Sequence, residues 1–152
     1  MSAYRESYST TIAAPVAECF AALHAFEAYP TWSSPTTSCR VLERYPDGMP
    51  KRVEFLLDMT VKTVRYVLEY VWDPPHGATW TMVEGDLASI EGSYDFEETA
   101  GGTTATCTQA IELGFWLPGF LRKTIEAKAL RDSVEEFRAA VEHGAAKAGS
   151  RS

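Results

Sequence analysis

The fold is decided by the stretch KRVEFLLDMTVKTVRYVLEYVW, which spans residues 51–72. Its apolar residues occupy odd positions in the first half and even positions in the second half. They are Val53, Phe55, Leu57 and Met59, followed by Val64, Tyr66, Leu68, Tyr70 and Trp72. Because strand side chains alternate between two faces, a change of parity without Gly or Pro predicts a chain reversal near Thr60 to Lys62. The stretch therefore predicts two antiparallel strands that share a large, aromatic and partly polar inner face.

Five further strands and two helices are predicted around this pair. The strands cover residues 4–12, 37–45, 78–84, 87–98 and 103–113, and the helices cover residues 15–26 and 117–143. Pro15 suits the first position of a helix, and Pro46-Asp47-Gly48 and Gly101-Gly102 are typical of turns. Because the connections between strands are short, we expect sequential antiparallel neighbours in a meander. The pattern predicts an α+β fold in which a curved antiparallel sheet of about seven strands wraps around a long C-terminal helix.

The long helix has an interrupted apolar stripe. Leu130, Val134, Phe137 and Val141 step by four, three and four, which places them on one face. Further back, small residues such as Ala127 and Ala129 would leave space between the helix and a concave sheet. We therefore predict a pocket for an apolar ligand beneath the centre of the helix. The alternative is that aromatic side chains from the sheet fill this gap.

Length and composition limit the class of protein. A chain of 152 residues fits one domain, which we place at residues 1–143 and follow with a flexible tail at 144–152. The net charge of -7 argues against DNA binding, because phosphate contacts need concentrated Lys and Arg. We expect no membrane span, because the apolar runs are short, and a cytoplasmic location, because no secretion signal is visible. The oligomeric state, monomer or homodimer, stays open.

Motifs for metal or nucleophilic chemistry are absent from the sequence. The three cysteines are widely spaced, and His24 has no second histidine at helical spacing, so we expect free thiols and no metal. Strand 103–113 is ambiguous: its apolar parity turns Gln109 inward, whereas the opposite parity would turn Glu112 inward. A desolvated Glu112 would be a candidate acid or base. The candidate catalytic residues are therefore Glu112 and the hydroxyl-bearing Tyr66 and Tyr70.

Several local segments carry a resemblance to a known family. They are Ala13-Ala14-Pro15, the run FEAYPTW at residues 26–32, Glu84-Gly85, Gly92-Ser93-Tyr94, the run GGTT at residues 101–104, and the run LPGFL at residues 117–121. With the predicted order of elements, these segments resemble the START-like SRPBCC superfamily, in particular its polyketide cyclase/dehydrase and coenzyme Q-binding branch. The resemblance covers nearly the whole chain and implies the helix-grip fold.

The resemblance implies a container for a hydrophobic molecule. We expect binding or transport of a lipid, quinone, isoprenoid or polyketide without a cofactor. A cofactor-independent polyketide cyclase or dehydratase is the first alternative, and an interaction module resembling a ribosome-associating toxin is the second. The expected ligand contacts are Phe55, Leu57, Tyr66, Leu68, Tyr70, Trp80, Met82, Tyr94, Ile125 and Ala129.

Overall fold

The computed structural model describes residues 5–60 and 62–150, with side chains described up to residue 144. The elements are β1 Arg5–Ile12, α1 Val16–His24, a 3-10 turn Phe26–Ala28, α2 Tyr29–Trp32, β2 Thr36–Arg44, β3 Pro50–Asp58, β4 Thr63–Asp73, β5 Gly77–Gly85, β6 Ser89–Thr99, β7 Gly102–Glu112 and α3 Gly119–Ser150. This order confirms the predicted α+β, helix-grip class. The first helix ends before Phe26, and α3 begins two residues later and continues seven residues further than predicted. The predicted tail falls largely on residues whose side chains are not described.

All seven strands form one antiparallel sheet in the order β1-β7-β6-β5-β4-β3-β2. The first two strands therefore lie at opposite edges, and α1 and α2 carry the chain from one edge to the other. Phe55 pairs with Tyr66 across β3 and β4, and the amide of Met59 donates to the carbonyl of Lys62 at 2.9 Å. The parity change in residues 51–72 is thus a hairpin, as predicted.

The edge strand β2 is irregular. Its register with β3 shifts between Thr36 and Ser38, between Val41 and Glu43, and again between Glu43 and Arg44. Such bulges increase the local twist and bend the strand. They help to curve this side of the sheet toward the helices.

The outer face of the sheet carries a ladder of ion pairs that crosses four strands. Arg65 Nε lies 2.7 Å from Glu54 on β3, and its terminal nitrogen lies 2.8 Å from Glu84 on β5. Arg40 on β2 reaches the other oxygen of Glu54 at 3.2 Å. Hydrogen bonds from Arg65 are the main cause that lowers the pKa of Glu54. Charged pairs opposite one another on neighbouring strands favour this register over others.

Helix α3 is held by its C-terminal half. Leu130, Val134, Phe137 and Val141 are all buried, as their spacing predicts. The ring of Phe137 stacks on Phe96 with centroids 6.0 Å apart and contacts Tyr94 at 5.0 Å. At the other end, every residue from 119 to 124 is exposed. The helix is therefore anchored at one end and uncovered at the other.

Polar contacts fix the same half of α3 to β1. The hydroxyl of Tyr8 donates to Glu135 at 2.8 Å, and the amide of Ala13 donates to Glu142 at 2.9 Å. Arg138 holds both carboxylates from the helix itself, at 2.8 and 3.3 Å. These bonds set the height of the helix along the sheet. Within the described residues, no helix is long and apolar enough to cross a bilayer.

Two phenylalanines of α3 test this asymmetry. Phe137→Ala should lower the free energy of unfolding by about 3 to 5 kcal/mol, because it removes a buried ring and leaves a cavity. Phe120→Ala, the same change at a residue that is 78% exposed, should change it by less than about 0.5 kcal/mol. Urea unfolding followed by circular dichroism measures both. Equal losses would show that the first turns of α3 pack as firmly as the rest.

Candidate functional site

The inner face of the sheet is built from paired aromatic residues. Tyr70 lies opposite Trp80, which lies opposite Gly92, and Tyr94 lies opposite Cys107. Five of the expected ligand contacts are buried on this face, namely Phe55, Leu68, Tyr70, Trp80 and Tyr94. Their inward orientation follows from the period of two along each strand.

Aromatic rings fill the centre of this face. Phe26 contacts Tyr70 at 4.9 Å, Tyr70 contacts Trp80 at 5.7 Å, and Trp80 contacts Tyr94 at 6.0 Å between centroids. Phe137 closes the series against Tyr94 from the side of α3. Where α3 crosses the sheet at Phe137, the packing is therefore the one that the aromatic alternative describes. The predicted pocket beneath the helix stays a prediction.

Gly92 makes room for a protein side chain, not for a ligand. A Cβ atom at this position would overlap the indole of Trp80, with Nε1, Cε2 and Cζ2 as its nearest neighbours. The indole therefore lies flat over the backbone of β6. This close approach explains why a glycine occupies an inward position in a strand.

A small hollow lies near the inner face. It measures about 10 Å³ and is lined by Glu6, Gln109, Ile111, Glu126 and Leu130. That is room for about one water molecule. A larger depression of about 410 Å³ lies between residues 13–16 and 98–102, but it is shallow and faces solvent.

One end of the inner face is only partly covered, and we call it the open end. Its apolar residues are half-buried and are Leu57, Tyr66, Met82, Ile111 and Phe115. The ammonium group of Lys62 lies 5.1 Å from the centroid of the Phe115 ring. A Cβ atom on Gly114 would lie 3.1 Å from the amide nitrogen of Ala88. These contacts bring the β3–β4 turn, the β5–β6 connection and the segment before α3 to the same end of the sheet.

The inward tyrosines differ from the peripheral ones in hydrogen bonding. Tyr8, Tyr29 and Tyr45 each donate to a carboxylate or a backbone carbonyl. Among the three inward tyrosines, Tyr66, Tyr70 and Tyr94, the hydroxyl of Tyr94 is fully buried and has no hydrogen-bond partner in the described part of the chain. Burial is the first cause that raises the pKa of each of these three hydroxyls. They are therefore neutral donors at physiological pH.

Two other polar groups belong to the packing of the core. The indole of Trp72 donates to the carbonyl of Pro50 at 2.7 Å, so its polar atom is already satisfied. The ring of His24 packs edge-on against Phe20 and Trp72. No cluster of three His, Cys, Asp or Glu residues that could hold a metal ion occurs among the described residues.

Two candidates lie elsewhere than their predicted roles require. Ala129 is exposed, so it does not face the interior, whereas Ile125 is half-buried like the residues of the open end. Glu112 lies on the same face of β7 as Thr106 and Thr108, because the three residues occupy even positions. The hydroxyls of Thr106 and Thr108 form hydrogen bonds with those of Ser9 and Ser7 on the exposed outer face. Its carboxylate therefore lies on the outer face, because the strand follows its apolar parity and turns Gln109 inward.

Glu126 is an inward residue of α3 that is not among the expected ligand contacts. Its side chain is only 11% exposed and lines the small hollow. Desolvation is the main cause that raises the pKa of its carboxyl, and Arg122, at 4.0 Å, lowers it. The signal was present in the sequence: a step of four back from Leu130 reaches Glu126, whereas a step of three reaches Ala127.

The thiols are not activated for nucleophilic chemistry. All three cysteines are free; Cys19 and Cys107 are buried and Cys39 is half-buried. Burial raises the pKa of Cys39 and of Cys107 to about 12. Because the thiolate is the reactive form, these two groups are inert near neutral pH.

The family of the chain follows from its sequence as a whole. Residues 5–143 match the profile of the family described as "Polyketide cyclase / dehydrase and lipid transport". The chain belongs to this family. No curated protein sequence matches it significantly.

Solved structures share the fold of this polyketide cyclase/dehydrase family member at low sequence identity. A START superfamily protein from Mycobacterium smegmatis is 19% identical, with a TM-score of 0.84 over 91% of this chain and 97% of that one. A protein from Thermus thermophilus is 22% identical, with a TM-score of 0.77 over 92% and 95%. The Zhui aromatase/cyclase from Streptomyces sp. R1128 is 17% identical, with a TM-score of 0.77 over 91% and 93%. These likenesses confirm the START-like helix-grip fold.

Gly92 provides a test of how tightly the centre is filled. Gly92→Ala should lower the free energy of unfolding by about 1 to 3 kcal/mol, because the new methyl group overlaps the indole of Trp80. Gly119→Ala is the control, since a Cβ atom there meets no neighbour within 4 Å, and it should change stability by less than about 0.5 kcal/mol. Urea unfolding measures both. A neutral Gly92→Ala would mean that the indole moves aside at little cost and that the centre is loosely packed.

Proposed function

We propose that this protein binds a hydrophobic small molecule that carries a hydrogen-bond acceptor, with the open end as its point of entry. The observation that carries the proposal is the buried hydroxyl of Tyr94, which has no hydrogen-bond partner among the described residues and shares the inner face with the hydroxyls of Tyr66 and Tyr70. A buried polar group without a partner costs about 1 to 3 kcal/mol. A ligand carbonyl that accepts from one of these groups would remove that cost.

The chemistry of these hydroxyls selects the ligand class. A neutral phenol in an apolar wall donates one hydrogen bond and offers no charge, so it fits a carbonyl or an ether oxygen. A quinone or a polyketide chain combines such oxygens with a large apolar surface. A purely hydrocarbon chain would leave the hydroxyls unpaired, so it fits less well.

The half-buried residues of the open end supply the apolar contact. Leu57, Tyr66 and Met82 keep part of their surface exposed, so a ligand can cover it without first breaking the core. Each 100 Å² of apolar surface that a ligand buries is worth about 2.5 kcal/mol. A ligand can reach Tyr70 and Tyr94 only if packed rings move, because aromatic side chains occupy the centre. The uncovered first turns of α3 are the part of the helix that can move away to admit a longer ligand.

The first test blocks the open end. Met82→Trp should fill the space beside Tyr66 and reduce ligand binding by about tenfold or more, because a large ring replaces a half-exposed thioether. The control is Val83→Trp at the next residue, which is 42% exposed, and should leave binding unchanged. A fluorescent apolar probe such as anilinonaphthalene sulfonate, and a ubiquinone analogue with a short tail, serve as ligands.

Native mass spectrometry of the gently purified protein supports the same test. A stoichiometric apolar molecule should be retained by the wild type and by Val83→Trp, and be lost from Met82→Trp. If neither probe binds and no small molecule co-purifies, the binding proposal fails. If Met82→Trp binds as well as the wild type, the open end is not the entry.

A second function, cyclisation or dehydration of a polyketide, is favoured by one observation. The Zhui aromatase/cyclase shares the fold over most of both chains, and the tyrosine hydroxyls could orient a reactive chain and donate to a developing enolate oxygen. Tyr66→Phe should then lower kcat on a poly-β-ketone substrate by about tenfold to a hundredfold, because one donor is removed. Tyr45→Phe, whose hydroxyl bonds to the backbone of Tyr70, is the matched control and should retain the rate. Absence of turnover in the wild type, or an unchanged rate in Tyr66→Phe, would argue for binding alone.

A further inference from the structure

A second apolar surface lies outside the site described so far, and we call it the aromatic tip. It consists of Trp116, Phe120 and Leu121, which are 84%, 78% and 37% exposed. The first belongs to the segment before α3, and the other two belong to the first turn of that helix. Large exposed apolar patches on a folded protein mark interaction sites. The aromatic tip contributes nothing to the core, so its apolar character needs another explanation.

Positive charge accompanies the aromatic tip. Residues 113–125 contain Arg122 and Lys123 and no acidic residue, although the chain as a whole has a net charge of -7. Lys62 adds a third cation from the β3–β4 turn, where it lies over the ring of Phe115. The nearest acidic residue of the helix, Glu126, is turned inward, is only 11% exposed and pairs with Arg122 at 4.0 Å. Asp58 and Asp86 also lie at this end of the sheet, where they accept hydrogen bonds from the backbone amides of Thr60 and Arg65. The segment that carries the tip is therefore itself apolar and basic.

The size of the aromatic tip is sufficient for a small docking surface. Its two aromatic side chains and Leu121 together offer about 400 Å² of apolar area. A dimer interface of about 800 Å² from each partner, slightly more than half of it apolar, is the competing use of the same side chains. Insertion of a few aromatic side chains beside cations is, in contrast, sufficient for reversible attachment to a lipid surface.

We propose that the aromatic tip docks the protein on an anionic lipid bilayer. Trp116 and Phe120 insert at the level of the headgroups, and Lys62, Arg122 and Lys123 contact lipid phosphates. The negative charge of the rest of the chain repels the same surface, so the molecule attaches in one orientation. In that orientation Phe115, a residue of the open end, faces the bilayer. The docking does not depend on whether the open end holds a ligand.

The test uses flotation of the full chain with vesicles. We expect binding to vesicles of phosphatidylcholine with phosphatidylglycerol, weaker binding to phosphatidylcholine alone, and loss of the difference at high salt. The double variant Trp116→Ser/Phe120→Ser should bind about tenfold or more weakly to both kinds of vesicle, because the inserted side chains are removed. The matched control is Leu42→Ser/Val71→Ser, which removes two apolar residues that are 44% and 59% exposed on strands away from the tip, and it should bind like the wild type.

The charge contribution is tested separately. Arg122→Gln/Lys123→Gln should weaken binding to the anionic vesicles and leave binding to phosphatidylcholine unchanged, because only the electrostatic attraction is removed. Circular dichroism of each variant confirms that it is folded. Wild type that does not float with anionic vesicles at low salt overturns the proposal, and so does equal binding by Trp116→Ser/Phe120→Ser. Light scattering provides one further outcome. If the wild type is a dimer that does not bind vesicles, and Trp116→Ser/Phe120→Ser is a monomer, the tip is an interface with a second copy of the chain instead.

Discussion

The contact of Phe137 with Tyr94 and Phe96 is the interaction on which the rest of the architecture depends. It joins the long helix to the middle of the sheet, and the aromatic series from Phe26 through Tyr70 and Trp80 ends against it. The helix is fastened there and by the polar bonds of Glu135 and Glu142 to β1. Its beginning is left without a packing surface. The open end and the aromatic tip are both consequences of this one-sided attachment.

The filled centre and the open end divide the inner face into two regions with different roles. The centre provides stability, because closely packed rings bury a large apolar area and Gly92 lets the indole of Trp80 lie against the backbone. The open end retains half-exposed apolar side chains and the neutral hydroxyl of Tyr66. A member of this family can therefore remain folded while empty and still offer a surface to a ligand.

The sheet was predictable because its signal is local. Parity along residues 51–72 located the hairpin, and turn residues located the remaining strands. The facing of strand 103–113 stayed open in the sequence, and the fold follows its apolar parity, with Gln109 inward. The path of the long helix over the sheet was harder. Residues spaced three or four apart both lie on one face of a helix, so the spacing alone allows either Ala127 or Glu126 to precede Leu130 on the buried face. Tertiary packing decides that Glu126 faces inward and that Ala129 is exposed. The filling of the centre also depends on rings from five separate segments, which no local pattern brings together. The exposure of Trp116 was also not predictable from local sequence. Tryptophan is usually largely buried, and the tertiary structure leaves this side chain 84% exposed.

The irregular edge strand β2 has a consequence for the behaviour of the protein in concentrated solution. A regular edge presents an evenly spaced row of amide and carbonyl groups that can template another sheet, and this is how many β-rich proteins polymerise. Three register shifts within nine residues break that row, and the charged side chains of Arg40 and Glu43 stand along it. The same bulges that help to curve the sheet therefore also hinder the pairing of β2 with a strand of another molecule.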